Sequence, residues 1–224
     1  MIQDSQLEFN PQWDAIANEG IGGPVPYVAP KIFTAVPATA ANPFLAVTIE
    51  GSSYTDMMAA THRPLMPAFF ANQIFYSFSF EVTPDTNNKS VQAFEFEACY
   101  CDENQYYYNN SMQLNYVNPA NMVQAYASPT NVWANTGITV PQFTASVSAP
   151  VKVNYMVNPM GRTMSTLSVE IGGKVYPLPA SFQNIPGAVR AGWAPGVYVQ
   201  FQLDLAALGG AVTNKFSNVS IDWL

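Results

Sequence analysis

The chain predicts an all-β fold of two antiparallel sheets packed face to face, with an irregular Pro/Gly-rich arm at the N-terminus, over a single domain spanning residues 1–224. Three observations carry this. Apolar and polar residues alternate with a period of two in about nine runs, which is the mark of half-buried strands. Helical periodicity is nearly absent. Each run has one apolar and one polar face, as antiparallel strands do and doubly covered parallel strands do not. Two sheets joined through their apolar faces bury all nine.

The elements follow in order. Residues 1–43 form the arm, since Gly20, Gly22, Gly23, Pro24, Pro26, Pro30, Pro37 and Pro43 exclude a helix over 11–43. Trp13, Tyr27, Ile32 and Phe33 want cover, so the arm packs on the sandwich or reaches from it. Leu45, Val47 and Ile49 open the first run, which Gly51 stops. Tyr54–Ala60 reads as a turn or two of helix, and Leu205–Leu208 as another short one. Ile74, Tyr76, Phe78, Phe80 and Val82 alternate with Ser77, Ser79 and Glu81. Phe94 and Phe96 oppose Glu95 and Glu97; Met112, Leu114 and Tyr116 oppose Gln113 and Asn115; Val123 and Ala125 oppose Gln124 and Tyr126. Val151, Val153, Tyr155 and Val157 make the next apolar face. Leu167, Val169 and Ile171 run into Gly172-Gly173, a two-residue hairpin signal, and Val175 resumes. The last runs are Val197–Leu205 and Val219–Trp223.

Composition narrows function. Hydrophobic residues make up 49% of the chain and charged residues only 10%, against about 25% charged in ordinary domains. Asn, Gln, Ser, Thr and Tyr must therefore wet the surface, which suits extracellular proteins, sugar binding and self-association. The net charge is −7 with no Lys/Arg cluster, which argues against nucleic acid and anionic membrane surfaces. No apolar run approaches the ~18 residues of a membrane span. MIQDSQLEF carries no signal-like n- or h-region; an extracellular location implies a signal already removed. Asn88, Asn109 and Asn218 begin Asn-x-Ser sequons, a pattern that an Asn-rich chain produces by chance.

Several stretches resemble one superfamily. AFEFEACY (93–100) followed by SMQLNYV (111–117), and the closing FSNVSIDWL (216–224), resemble the concanavalin A-like lectin/glucanase jelly rolls, including laminin-G-like domains. VEIGGKVYPL (169–178) and AGWAPGVYVQFQLDL (191–205) are similar to an uncharacterised group of secreted bacterial domains of that fold. There Ile2-Gln3-Asp4, Ala93-Phe94-Glu95-Phe96-Glu97 and Val199-Gln200-Phe201-Gln202-Leu203-Asp204 match recurring segments. The resemblance implies a jelly-roll sandwich. It does not bring catalysis with it. Glucanases of this type carry Glu-x-Asp-x-Glu or the same with one residue added, and here Glu95 leads to Glu97 and then Cys99 or Tyr100, while Glu97 leads to Cys99 and then Cys101 or Asp102. Residues two apart on a strand are about 6.6 Å apart, near the roughly 5–5.5 Å that retaining glycosidases use, but side by side along one strand they do not flank a glycosidic bond.

The expected ligand-binding surface comprises Glu95, Glu97, Gln113, Gln124, Tyr126, Gln200 and Gln202, with Trp133 and Tyr107 to stack on sugar rings. The leading function is extracellular, non-catalytic binding of a neutral polysaccharide. One alternative is a self-assembling subunit of a filament or surface layer, with the arm added as a strand to a neighbour. The other is a glycoside hydrolase or lyase using Glu95 and Glu97. No cofactor is expected; a Ca²⁺ site from scattered Asp and backbone oxygens suits the fold but is not locatable. Cys99 and Cys101 are the only cysteines, either free thiols or a strained bridge, and a weak zinc signal without further ligands. His62, the sole histidine, reads as a surface or loop residue, and no Gly-x-Ser-x-Gly accompanies it.

Overall fold

The computed structural model describes residues 2–4, 6–9, 13–18, 32–50, 56–63, 73–84, 91–115, 122–126, 133–139, 148–189, 195–205 and 211–223. Among them run β1 (Ile2–Asp4), β2 (Asp14–Asn18), β3 (Ile32–Val36), β4 (Leu45–Glu50), β5 (Asp56–Arg63), β6 (Ile74–Thr83), β7 (Val91–Cys101), β8 (Tyr106–Asn115), β9 (Met122–Tyr126), β10 (Trp133–Thr139), β11 (Ala149–Asn158), β12 (Thr163–Ile171), β13 (Lys174–Pro177), β14 (Ile185–Pro186), β15 (Ala188–Val189), β16 (Gly196–Leu205) and β17 (Val212–Trp223). Among the described residues no helix is long and apolar enough to cross a membrane.

The strands form two antiparallel sheets. The back sheet has the order β13-β12-β11-β6-β17-β4-β3, with β1 on β17 and β14 on β12. The front sheet has the order β10-β9-β8-β7-β16-β5-β2, with β15 on β8. Among the described strands the chain changes sheet at β1/β2, β2/β3, β4/β5, β5/β6, β6/β7, β10/β11, β14/β15 and β16/β17. β6 and β17 of the back sheet face β7 and β16 of the front through ring contacts of Phe78, Phe80 and Phe216 with Phe96 and Phe201. Paired runs wrapped across two layers in this way make a jelly roll, the sandwich that the sequence predicts.

The apolar faces meet where the alternation says they should. Phe78, Phe80 and Phe216 of the back sheet and Phe96 and Phe201 of the front sheet are all buried in one core. Phe201 stacks on Phe216 with centroids 3.9 Å apart, and the edge of Phe80 meets Phe201 at 4.9 Å. Such ring pairs add about 0.5–1.5 kcal/mol each beyond area burial. Tyr76 reaches across and donates to the Ala98 carbonyl at 3.0 Å, tying the sheets together with a polar bond inside the core.

Three segments differ from expectation. Tyr54–Ala60 falls largely on strand β5, which is paired on both sides, with β16 and β2. Neighbouring strands override a weak local helical preference. The arm supplies β1, β2 and β3 within its described parts; each pairs with a strand already in a sheet. His62 lies on β5, opposite Tyr198, rather than in a loop. The expected turn at Leu205–Leu208 lies, apart from Leu205, outside the described residues. Gly172 and Gly173 do form the hairpin between β12 and β13, with φ +57° and +81°, the left-handed region that a tight I′-type turn needs.

Candidate functional site

Strand β7 builds the site. Phe96, Ala98 and Tyr100 belong to the core between the sheets, so the alternate residues Glu95, Glu97, Cys99 and Cys101 lie on the outward face of the front sheet. Cross-strand register then sets a row. Gln202 of β16 is opposite Glu95, Glu95 is opposite Gln113 of β8, Gln113 is opposite Gln124 of β9, and Gln124 is opposite Asn135 of β10. The register thus sets one amide or carboxylate residue from each of five successive strands in line. In the adjoining row Gln200 is opposite Glu97. Tyr107 is opposite Cys101, and Tyr126 is opposite Trp133. All nine residues singled out in the sequence therefore hold register positions on this sheet. The structure brings Glu95, Glu97, Gln113, Gln200 and Tyr107 together as buried groups; the side chains of Gln202, Tyr126 and Trp133 lie outside what is described.

This outward face is not openly wetted. Glu95 is 4%, Glu97 6%, Gln113 5% and Gln200 6% exposed. A carboxylate withdrawn from water is tolerated only with hydrogen-bond partners. Glu97 has one in the Cys99 thiol, which donates to Oε2 at 3.5 Å, while the Tyr107 hydroxyl donates to Cys99 Sγ at 2.8 Å. Tyr107, Cys99 and Glu97 thus form one chain of hydrogen bonds. Both cysteines are buried thiols with no disulfide between them, which decides between thiols and a bridge. Cys101 points its thiol at the Asp102 carbonyl at 3.8 Å, and burial, with the Asp102 charge second, pushes that thiol up. The row opens toward solvent at β9 and β10. There Gln124 Nε2 donates to Asn135 Oδ1 at 2.8 Å in an exposed bond.

Two residues that sequence reasoning passed over shape this face. Asn135 extends the row by a strand; β10 was not predicted because its run WANTGIT barely alternates and holds Gly137 at φ +78°. Asp102 closes the β7–β8 hairpin. Its Oδ1 accepts the backbone N–H groups of Asn104 at 2.8 Å and Tyr106 at 2.9 Å, and its Oδ2 accepts the Tyr108 hydroxyl at 3.2 Å. The signal was present, since an Asp at a strand end followed by Glu103-Asn104 is an Asx-turn pattern. Among the described residues no group of three or more His, Cys, Asp or Glu side chains is placed to hold a metal ion.

No family model and no curated protein matches the chain. Solved structures do resemble it. An alginate lyase from a Chlorella virus is 10% identical, with 98% of this chain and 96% of that one covered and a TM-score of 0.49. A β-glucanase from Bacillus licheniformis gives the same four values, 10%, 98%, 96% and 0.49. A basic winged bean lectin with Tn-antigen is 9% identical over 100% of this chain and 98% of that one, with a TM-score of 0.47. At such scores the likeness carries no argument about ligand or activity, and the jelly-roll wrap stands on strand order and register alone.

Proposed function

We propose that the outward face of the front sheet binds a neutral polysaccharide without cleaving it, in an extracellular setting. The observation that supports this is the in-register row Gln202, Glu95, Gln113, Gln124 and Asn135 across five strands. Strands are spaced about 4.8 Å apart, so such a row spans roughly 19 Å. Of this row Gln124 and Asn135 lie open to a glycan, while Glu95 and Gln113 are buried behind them in the row. Amides suit hydroxyls because each offers two N–H donors and an acceptor oxygen. Net charge is low along the row, with Glu95 its one ionisable member, which favours a neutral chain over a charged one. The ligand engages first at Gln124 and Asn135, the solvent-facing end. The cleaving alternative has less support. Glu95 and Glu97 follow each other along one strand, and Glu97 already accepts the Cys99 thiol.

Titration calorimetry against a panel of glucans and galactans tests this. Binding to at least one is expected, with affinity falling roughly tenfold or more in Gln124→Ala and Asn135→Ala, about 1.4 kcal/mol or more, while the melting temperature stays the same. The proposal is lost if none binds at millimolar concentration. Release of reducing or unsaturated ends that Glu95→Gln and Glu97→Gln abolish would support the enzymatic alternative instead.

A further inference from the structure

A second polar row crosses the outward face of the back sheet. Gln3 of β1 is opposite Asp222 of β17, Asp222 is opposite Ser77 of β6, Ser77 is opposite Asn154 of β11, and Asn154 is opposite Ser168 of β12. The chain neighbours Tyr76, Phe78, Val153, Tyr155 and Ile221 belong to the core, so this row lies on the other side of the sheet. Ser77 is nevertheless fully buried, at 0% exposure. Its Oγ and Asp222 Oδ1 are both sealed from solvent without a hydrogen-bond partner. Asn154 Nδ2 donates to Ser168 Oγ at 2.9 Å. That bond engages the amide nitrogen with β12. In the next row Ser79 is opposite Ser220, which is also buried.

A buried hydroxyl and a buried carboxylate oxygen without partners are costly. Here they occupy directly opposed positions on adjacent strands, with Cβ atoms about 4.5–5.5 Å apart, so a single small guest can meet both. The two unpartnered atoms are both oxygens and one belongs to a carboxylate, so the guest is positive. An all-oxygen set selects a hard cation. Asp222 is the only carboxylate in the row, whereas calcium sites gather six to eight oxygens, usually with several carboxylates. Lys152 and Glu170, paired with each other across β11 and β12 in the next row, add no net charge. We propose that Asp222, Ser77 and Asn154 bind a monovalent alkali cation. The site is on the opposite layer from the glycan face and does not depend on that reading.

The test is thermal unfolding of the intact chain in sodium or potassium chloride against choline chloride at equal ionic strength. The expected result is a midpoint higher by roughly 2–4 °C in one of the alkali salts, rising with its concentration. That excess should vanish in Asp222→Asn and in Ser77→Ala. Equal midpoints in all three salts, or an excess that survives both substitutions, overturn the proposal. Should the variants fail to fold, crystals of the unaltered protein soaked in thallium(I) decide the matter. An anomalous peak between Asp222 and Ser77 supports the cation; a site holding only water overturns it.

Discussion

Three buried tyrosines shape how this protein responds to alkaline pH. Tyr155 and Tyr108 are completely buried and Tyr100 nearly so. Burial, then the charges of Asp102, Glu103 and Cys101, pushes Tyr100 up to about 12. Burial first and Asp102 second raise Tyr108, and burial dominates the upward shift of Tyr155. In the unfolded chain all three ionise near the ordinary tyrosine value of about 10. The folded state holds their protons longer, so above that pH unfolding releases protons and becomes easier. The contribution of these groups is complete below about pH 10 and is lost progressively as the pH climbs toward about 12 for Tyr100 and beyond for the other two. Urea unfolding between pH 8 and 11.5 should show a stability plateau followed by a fall, and Tyr100→Phe should shallow that fall. A flat profile to the highest pH would show that the tyrosines are open to solvent.

Hairpins carry the precision of the elements. The row of polar groups on the front sheet exists because β7 and β8 pair in a single register, with Glu95 opposite Gln113 and Tyr100 opposite Tyr108. Asp102 sets that register at the turn, helped by Gln105 at φ +62°. Asp102→Ala leaves two backbone N–H groups and the Tyr108 hydroxyl without their acceptor. The expected loss is about 2–4 kcal/mol in chemical unfolding, together with weakened glycan binding from a face whose rows no longer align. Asp102→Asn keeps an acceptor oxygen and should retain most of both. The same scale shows what could be read in advance. Runs with strict alternation, such as Ile74–Val82 and Val151–Val157, became β6 and β11 because their apolar faces had to be buried. The Gly-Gly turn was equally legible, since few other residues accept its positive φ. Strands β3, β5 and β10 were not legible. Ile32–Val36 and Asp56–Arg63 owe their state to the strands beside them, and pairing between distant segments leaves little trace in local sequence. The candidate face was readable as a list of polar residues alternating with core residues. Its burial was not, because alternation assigns a side chain to one side of a sheet without saying what covers that side.

At the scale of the whole molecule the N-terminal segment is part of the fold rather than an appendage to it. Strand β1 pairs with β17 through Ile2 and Trp223, and β2 pairs with β5. Between them Leu7 is fully buried, and Trp13, 5% exposed, stacks on Phe201 at 5.9 Å while its indole N–H donates to the Leu7 carbonyl at 2.8 Å. Glu8, also buried, accepts the N–H of Asn218 at 3.1 Å and of Val219 at 3.0 Å. Those two groups sit where β17 slips register and Asn218 takes φ +52°, so the arm satisfies a bulge in a strand at the centre of the back sheet. Losing a buried Leu or a buried Trp costs about 2–5 kcal/mol each, against a total stability of roughly 5–15 kcal/mol for an ordinary domain. Removing residues 1–18 should therefore abolish the cooperative thermal transition or lower its midpoint by well over 10 °C, an estimate scaled from about 2–4 °C per kcal/mol for a chain of this size. An arm that only reaches outward to a neighbouring subunit predicts a different result, an unchanged transition with loss of self-association. Calorimetry and light scattering on the same truncated chain separate the two. An unchanged midpoint would mean that Leu7, Glu8 and Trp13 contribute nothing to holding the sheets together.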